Sequence, residues 1–135
     1  MKRLTSVTTL LAALAIILTF AACNKKNNPI SQFQPEIANT TDNFQFQITN
    51  ASHVTTTVDY DWRNTGQMAT ANQSCAITLG TAQLSLLDST GTVLYTRNLN
   101  DNGTFQSSAG LAGLWKVRIV LNNLGGSLNF RLQKL

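Results

Sequence analysis

The chain has 135 residues, of which only 12% are charged against about 25% in an ordinary soluble domain. Lys2, Arg3, Lys25 and Lys26 hold four of its ten basic side chains, so residues 27 to 135 carry six basic against six acidic groups and no net charge. The excess positive charge therefore sits at one end, which removes the basic surface that nucleic-acid binding requires.

Met1-Lys2-Arg3 is followed by an apolar run from Leu10 to Phe20 and then by Ala21-Ala22-Cys23. A charged start, a short apolar stretch and small residues before a cut site make up an export signal. The apolar run is shorter than the roughly 17 to 25 residues of a membrane-spanning helix, so removal is expected. At Phe20-Ala21-Ala22-Cys23 the chain resembles the bacterial lipoprotein signal, in which the cysteine is diacylated and becomes the new N-terminus. That resemblance implies lipidation at Cys23, membrane attachment through the acyl chains and residence in the bacterial cell envelope. Asn24 stands where an Asp commonly retains such proteins at the inner membrane, so the resemblance points to the outer membrane. Cys75 is then either a buried free thiol or, if Cys23 is not lipidated, its disulfide partner.

Residues 24 to 41 lack helical and strand periodicity and hold both prolines, which predicts a flexible tether spanning on the order of 25 Å, with Phe33 and Ile37 as the residues through which part of it could dock on the domain and become ordered. The expected division is a signal over 1–22, lipidated cysteine and tether over 23–41, and one folded domain over 42–135.

All eight glycines lie beyond the tether and separate segments rich in Val, Ile, Leu, Thr and aromatic residues. Such punctuation predicts an all-β domain: a single antiparallel β-sandwich, Ig-like or jelly-roll-like, of seven to eight strands. Phe44, Phe46 and Ile48 alternate with Gln45 and Gln47, and Val54 to Trp62 alternates in the same way. Residues 74–79 and 81–87 read as two strands or one bent at Gly80. Asp88-Ser89-Thr90-Gly91 then predicts a four-residue hairpin turn that sets Leu86 opposite Val93 and Leu84 opposite Tyr95. With Asn123-Leu124-Gly125-Gly126 as a second turn, Leu121 faces Leu128, Ile119 faces Phe130 and Val117 faces Leu132.

The stretches Leu84 to Tyr95 and Gly113 to Leu132 resemble the bacterial pre-peptidase C-terminal type of β-sandwich. What that resemblance implies is a non-catalytic accessory module.

No nucleophile elbow, phosphate-cradling loop or metal-spaced Cys/His pair is present, so neither catalysis nor a cofactor or metal is expected. His53 is a lone outward histidine without a positioned partner. Asp59 and Asp61 share a strand face but begin only part of a cation shell. Asn98-x-Asn100-x-Asn102-Gly103 lacks the ends of a calcium loop and reads as a turn. Asp88-Ser89-Thr90 looks like a bacterial O-glycosylation acceptor, although an Asp-led turn accounts for the same residues.

The one constellation with a ligand in view is basic. In the expected final hairpin Lys116 and Arg118 face outward on one strand, with Arg131 directly opposite Arg118. Facing like charges are mildly destabilising unless they splay into water or hold an anion, such as a phosphorylated glycan or lipid headgroup. The leading expectation is a lipid-anchored envelope module that binds glycan or protein; the alternative is a structural subunit of an envelope complex with no small ligand.

Overall fold

The computed structural model describes residues 28–135. Seven strands make the fold: β1 (Glu36–Thr40), β2 (Asn43–Asn64), β3 (Ala69–Gln73), β4 (Ala76–Leu87), β5 (Val93–Asn98), β6 (Gly103–Gln106) and β7 (Gly113–Lys134). All strand pairs are antiparallel, and they form one sheet that folds over on itself into a sandwich.

The two longest strands set the architecture. β2 and β7 have 22 residues each and pair from Asn43 opposite Gln133 to Asn64 opposite Gly113. Straight, such a ribbon would be about 70 Å long, far beyond a small domain. Both strands therefore bend at the same place. Asn50 and His53 in β2 take left-handed φ values of 52° each, and Asn123 and Gly126 in β7 take 49° and 126°. The register shifts there, between Ile48 and Thr56, mark the corner as a run of bulges.

Beyond the corner each half of the ribbon joins a different layer. The Asn43–Ile48 and Leu128–Lys134 halves carry β1 on one side and β3 and β6 on the other. The other halves carry β4 and β5. Apolar residues of alternate parity fill the space between: Phe130 stacks on Phe44 and Phe46 at 6.1 and 5.4 Å, and Phe44 and Phe46 meet Tyr60 of the opposing layer at 5.7 and 6.0 Å. Trp62 and Trp115 are wholly buried and meet edge to face at 5.9 Å. Each indole N–H reaches a carbonyl, Thr40 at 3.2 Å and Leu111 at 2.8 Å.

Three expectations are corrected. The final hairpin does not form: Asn123 to Gly126 bends the chain without reversing it, because β2 bends alongside and keeps its ladder with β7. Leu121 pairs with Thr56 and Leu128 with Ile48, although both leucines point inward as expected.

The β4–β5 register is moved by two residues, with Leu86 opposite Tyr95 and Leu84 opposite Arg97, and Val93 is exposed. The cause is Asp88. Its carboxylate accepts from the Thr90 and Thr92 backbone N–H groups, the Thr90 hydroxyl and the Leu111 N–H, which fixes a longer turn and a bulge at Leu87.

The stretch expected to be a tether is partly built into the domain. Ile30 is buried, Phe33 packs against the core after a short 3-10 turn at Ser31–Phe33, and β1 pairs with β2. β4, by contrast, is a single strand bent at Gly80, one of the two readings open from the sequence.

The corner and the Asp88 clamp each generate a test. A Cβ on Gly126 would be driven into the Ala76 carbonyl at a left-handed φ, whereas Gly91 has a left-handed φ of 86° in open space. Gly126→Ala is expected to lose at least about 2 kcal/mol and Gly91→Ala about 1 kcal/mol, read by urea unfolding. The hydrogen bonds to Asp88, the Thr90 hydroxyl foremost, hold its carboxyl down to about 2, below the ordinary 3.8. A depressed carboxyl stabilises fully above the unfolded value, so its contribution fades as pH falls from about 4 to about 2. Urea midpoints of wild type should exceed those of Asp88→Asn at pH 6, and the gap should close towards pH 2.

Candidate functional site

The three basic residues singled out from the sequence are not brought together. Lys116 and Arg118 lie on the first half of β7, opposite Asp61 and Asp59 of β2. Arg118 grips Asp59 with both arms of its fork, Nε to Oδ1 at 2.8 Å and Nη2 to Oδ2 at 2.9 Å, while Lys116 Nζ stands 3.8 Å from the same carboxylate. The Arg118 hydrogen bond holds the Asp59 carboxyl below its usual range, and the carboxylate in turn raises the guanidinium. Arg131 lies past the corner on the other layer, opposite Gln45 on one side and Asn72 on the other. The expected facing of Arg118 and Arg131 is therefore absent, and with it the like-charge strain.

The remaining sequence candidates resolve into structure. His53 sits at the corner, with Nδ1 2.9 Å from Asn123 Oδ1. Asn98 to Gly103 is the turn between β5 and β6. Asn100 N–H donates to Asn98 Oδ1, and Asn102 clamps Cys75 by accepting from its N–H and donating to its C=O. Ser89 and Thr90 are exposed at the Asp88 turn. Cys75 is a buried free thiol among the described residues, donating to Asn129 O and accepting from Asn129 N–H, and burial pushes its pKa up. Cys23, its proposed lipidation and any pairing with Cys75 lie outside the described residues. Among the described residues no group of three His, Cys, Asp or Glu is placed to hold a metal ion.

What the fold does assemble is a polar face on the outside of the first layer. Because Phe44, Phe46, Phe130, Leu132 and Ala71 point into the core, their neighbours in sequence point out. Strand register then lines those neighbours up in ranks. One rank runs Ala38, Gln45, Arg131, Asn72, Thr104 across five strands, and the next runs Thr40, Asn43, Gln133, Thr70, Gln106. On this face lies a groove of about 470 Å³ lined by Gln45, Thr70, Asn72, Thr104, Asn129, Arg131 and Gln133.

Every side chain of the groove is an amide, a hydroxyl or the single guanidinium, and none is acidic or aromatic. Asn72 Nδ2 donates to Thr104 Oγ1 at 2.7 Å, and Arg131 Nη2 donates to Gln45 Oε1 at 3.3 Å. Such a surface offers donors and acceptors about 4.8 Å apart from strand to strand on a rigid sheet. It can recognise a hydroxyl-rich ligand but holds no nucleophile paired with a base.

A second depression of about 350 Å³ lies on the other layer, between the Asp88 turn and Leu114, Lys116 and Arg118. There Lys116 and Arg118 are already held by Asp59, whereas Asp61 and Asp88, which line the same depression, make no ion pair among the described residues. Sequence alternation marked Gln45, Gln47 and Arg131 as outward, but only the β6–β3–β7–β2 register shows that they share a face with Asn72 and Thr104. No family model matches the chain, and no curated protein matches it.

Proposed function

We propose that this protein is a non-catalytic recognition module of the bacterial cell envelope, anchored in the outer membrane by acyl chains on Cys23, which binds glycan through the amide face of its first layer. The observation that supports this reading is the groove of amides and hydroxyls around Arg131, whose polar atoms find few partners within the protein. Multiple acyl chains on one cysteine give the stable membrane attachment that a single chain does not.

The anchor and the face are related by distance. Six residues lie between Cys23 and the buried Ile30, a path of at most about 24 Å when fully extended. The module would stand close to the headgroups and meet glycan that lies near the membrane surface. Free protein partners further out would be a poorer match for such a short lead.

Two experiments test the reading. Radiolabelled palmitate should enter wild type and not Cys23→Ala; equal labelling of the two, or none in either, would remove the anchor. Full-length protein in detergent should be retarded in gels cast with polysaccharide, using a neutral β-glucan, a galactomannan and polygalacturonate. Asn72→Ala with Gln133→Ala should lose most of that retardation, about tenfold in affinity, at the price of two hydrogen bonds. Retardation unchanged by the double substitution would place the ligand elsewhere.

A further inference from the structure

Six cations lie among the described residues, and four of them have a carboxylate within ion-pair reach: Arg97 with Asp101, Lys116 and Arg118 with Asp59, and Lys134 with Asp42. Arg63 and Arg131 do not. Arg63 stands on the other layer opposite the exposed Leu114, outside either depression. Arg131 is in the middle of the amide groove, third in a rank of five strands.

Among the described residues its side chain has one hydrogen bond, to a neutral amide, Gln45 Oε1, at 3.3 Å. A guanidinium has five N–H donors, so most of its fork is free to a ligand. The nearest acid in the register is Glu36, two strands across and one rank along, and it makes no ion pair with Arg131. The groove is therefore a neutral hydrogen-bonding surface with one uncompensated positive charge at its centre.

We infer that the face selects an acidic glycan, with Arg131 taking the carboxylate of a uronic acid residue and the flanking Gln45, Asn72, Thr104 and Gln133 taking the hydroxyls of that ring and its neighbours. This rests on the glycan-binding reading above and adds the ligand's charge to it. A guanidinium and a carboxylate are both planar and meet through two parallel hydrogen bonds, which a lysine ammonium cannot reproduce. The rank running across the strands gives the ligand a direction. A chain of sugars lying along it would place one ring near Arg131 and successive rings over the Gln45 and Asn72 sides.

The test compares polygalacturonate, a neutral β-glucan, dextran sulfate and phosphatidylglycerol vesicles as ligands of full-length protein in detergent, with far-UV circular dichroism confirming that each variant folds. Arg131→Gln should weaken polygalacturonate binding at least about tenfold and weaken the neutral glucan several-fold less than that. Arg131→Lys should recover less than half of that loss in log affinity, because the charge returns without the fork. Loss on Asn72→Ala and Gln133→Ala with no change on Arg131→Gln would overturn the acidic-glycan inference while leaving the face as a glycan site. No change on any of the three would sink both. Dextran sulfate or the vesicles binding as tightly as polygalacturonate would also overturn the inference, since a general polyanion or a lipid headgroup would then satisfy the arginine equally.

Discussion

The structure depends on two strands turning one corner together. Bending a single strand of a ladder leaves its partner's N–H and C=O groups without bonds, and buried backbone groups cannot be left so. Here the bend is shared. Side chains replace what the ladder loses: Asn50 N–H donates to Ser127 Oγ at 3.1 Å, Asn123 N–H donates to Thr55 Oγ1 at 2.9 Å, and the His53 ring meets Asn123 Oδ1. Gly126 permits close approach of the β4 backbone, and Gly80 bends β4 to follow. Once the β2–β7 ribbon is folded, β1, β3 and β6 can add only to one half and β4 and β5 only to the other.

Buried polar side chains then close the openings that the folded ribbon leaves. Gln73 is nearly inaccessible, and its amide nitrogen donates to Asn98 O and Asp101 O while its oxygen accepts from the Tyr95 hydroxyl at 2.6 Å. Burial pushes the Tyr95 hydroxyl up to about 12, so it stays a donor at any ordinary pH. One residue of β3 thus ties the first layer to β5 of the second. At the opposite end Asp42 accepts from the backbone N–H and hydroxyl of Thr65 and pairs with Lys134, joining the start of β2 to the ends of β2 and β7. Asn102 holds the β3–β4 connection at Cys75. The strands under the amide face are thereby fixed from both sides, and their outward side chains stand on a surface that has little freedom to rearrange.

The parts of this arrangement that alternation governs were legible in the sequence. Period two assigns a residue to a face, and Trp115, Val117, Ile119, Leu121, Leu128, Phe130 and Leu132 all point inward as that period requires. It does not assign a partner. A hairpin at Asn123 to Gly126 and a corner at the same residues bury the same side chains, and the choice between them lies in Asn50 and His53, some seventy residues earlier. Nothing local to β7 carries that information. The basic trio failed for this reason: Lys116, Arg118 and Arg131 are outward, but the facing of two arginines needed the hairpin. The two-residue slip of β4 on β5 has a local cause that was in view, Asp88, whose appetite for backbone N–H groups lengthens the turn. The amide rank was hidden differently, because Gln45, Asn72, Thr104 and Arg131 come from four separated segments and only long-range register sets them side by side.

The two outer faces that result differ in how their charge is spent. On the second layer Asp59 is gripped by Arg118 and flanked by Lys116, so an anion arriving there competes with a bidentate partner already in place, and a cation competes with two. Surface pairs of this kind add little stability, yet they leave no uncompensated charge at Asp59 itself. On the first layer the outward residues of three central strands are almost all uncharged, and each amide gives up only water when a ligand hydroxyl replaces it. The arginine on that face, Arg131, is held only by the neutral amide of Gln45 among the described residues. Its charge is shielded by solvent in the free protein and becomes a stronger attraction only when a ligand covers the groove and excludes that water. That difference between the faces follows from the corner, which sends Arg118 and Arg131, both outward residues of one strand, to opposite sides of the molecule.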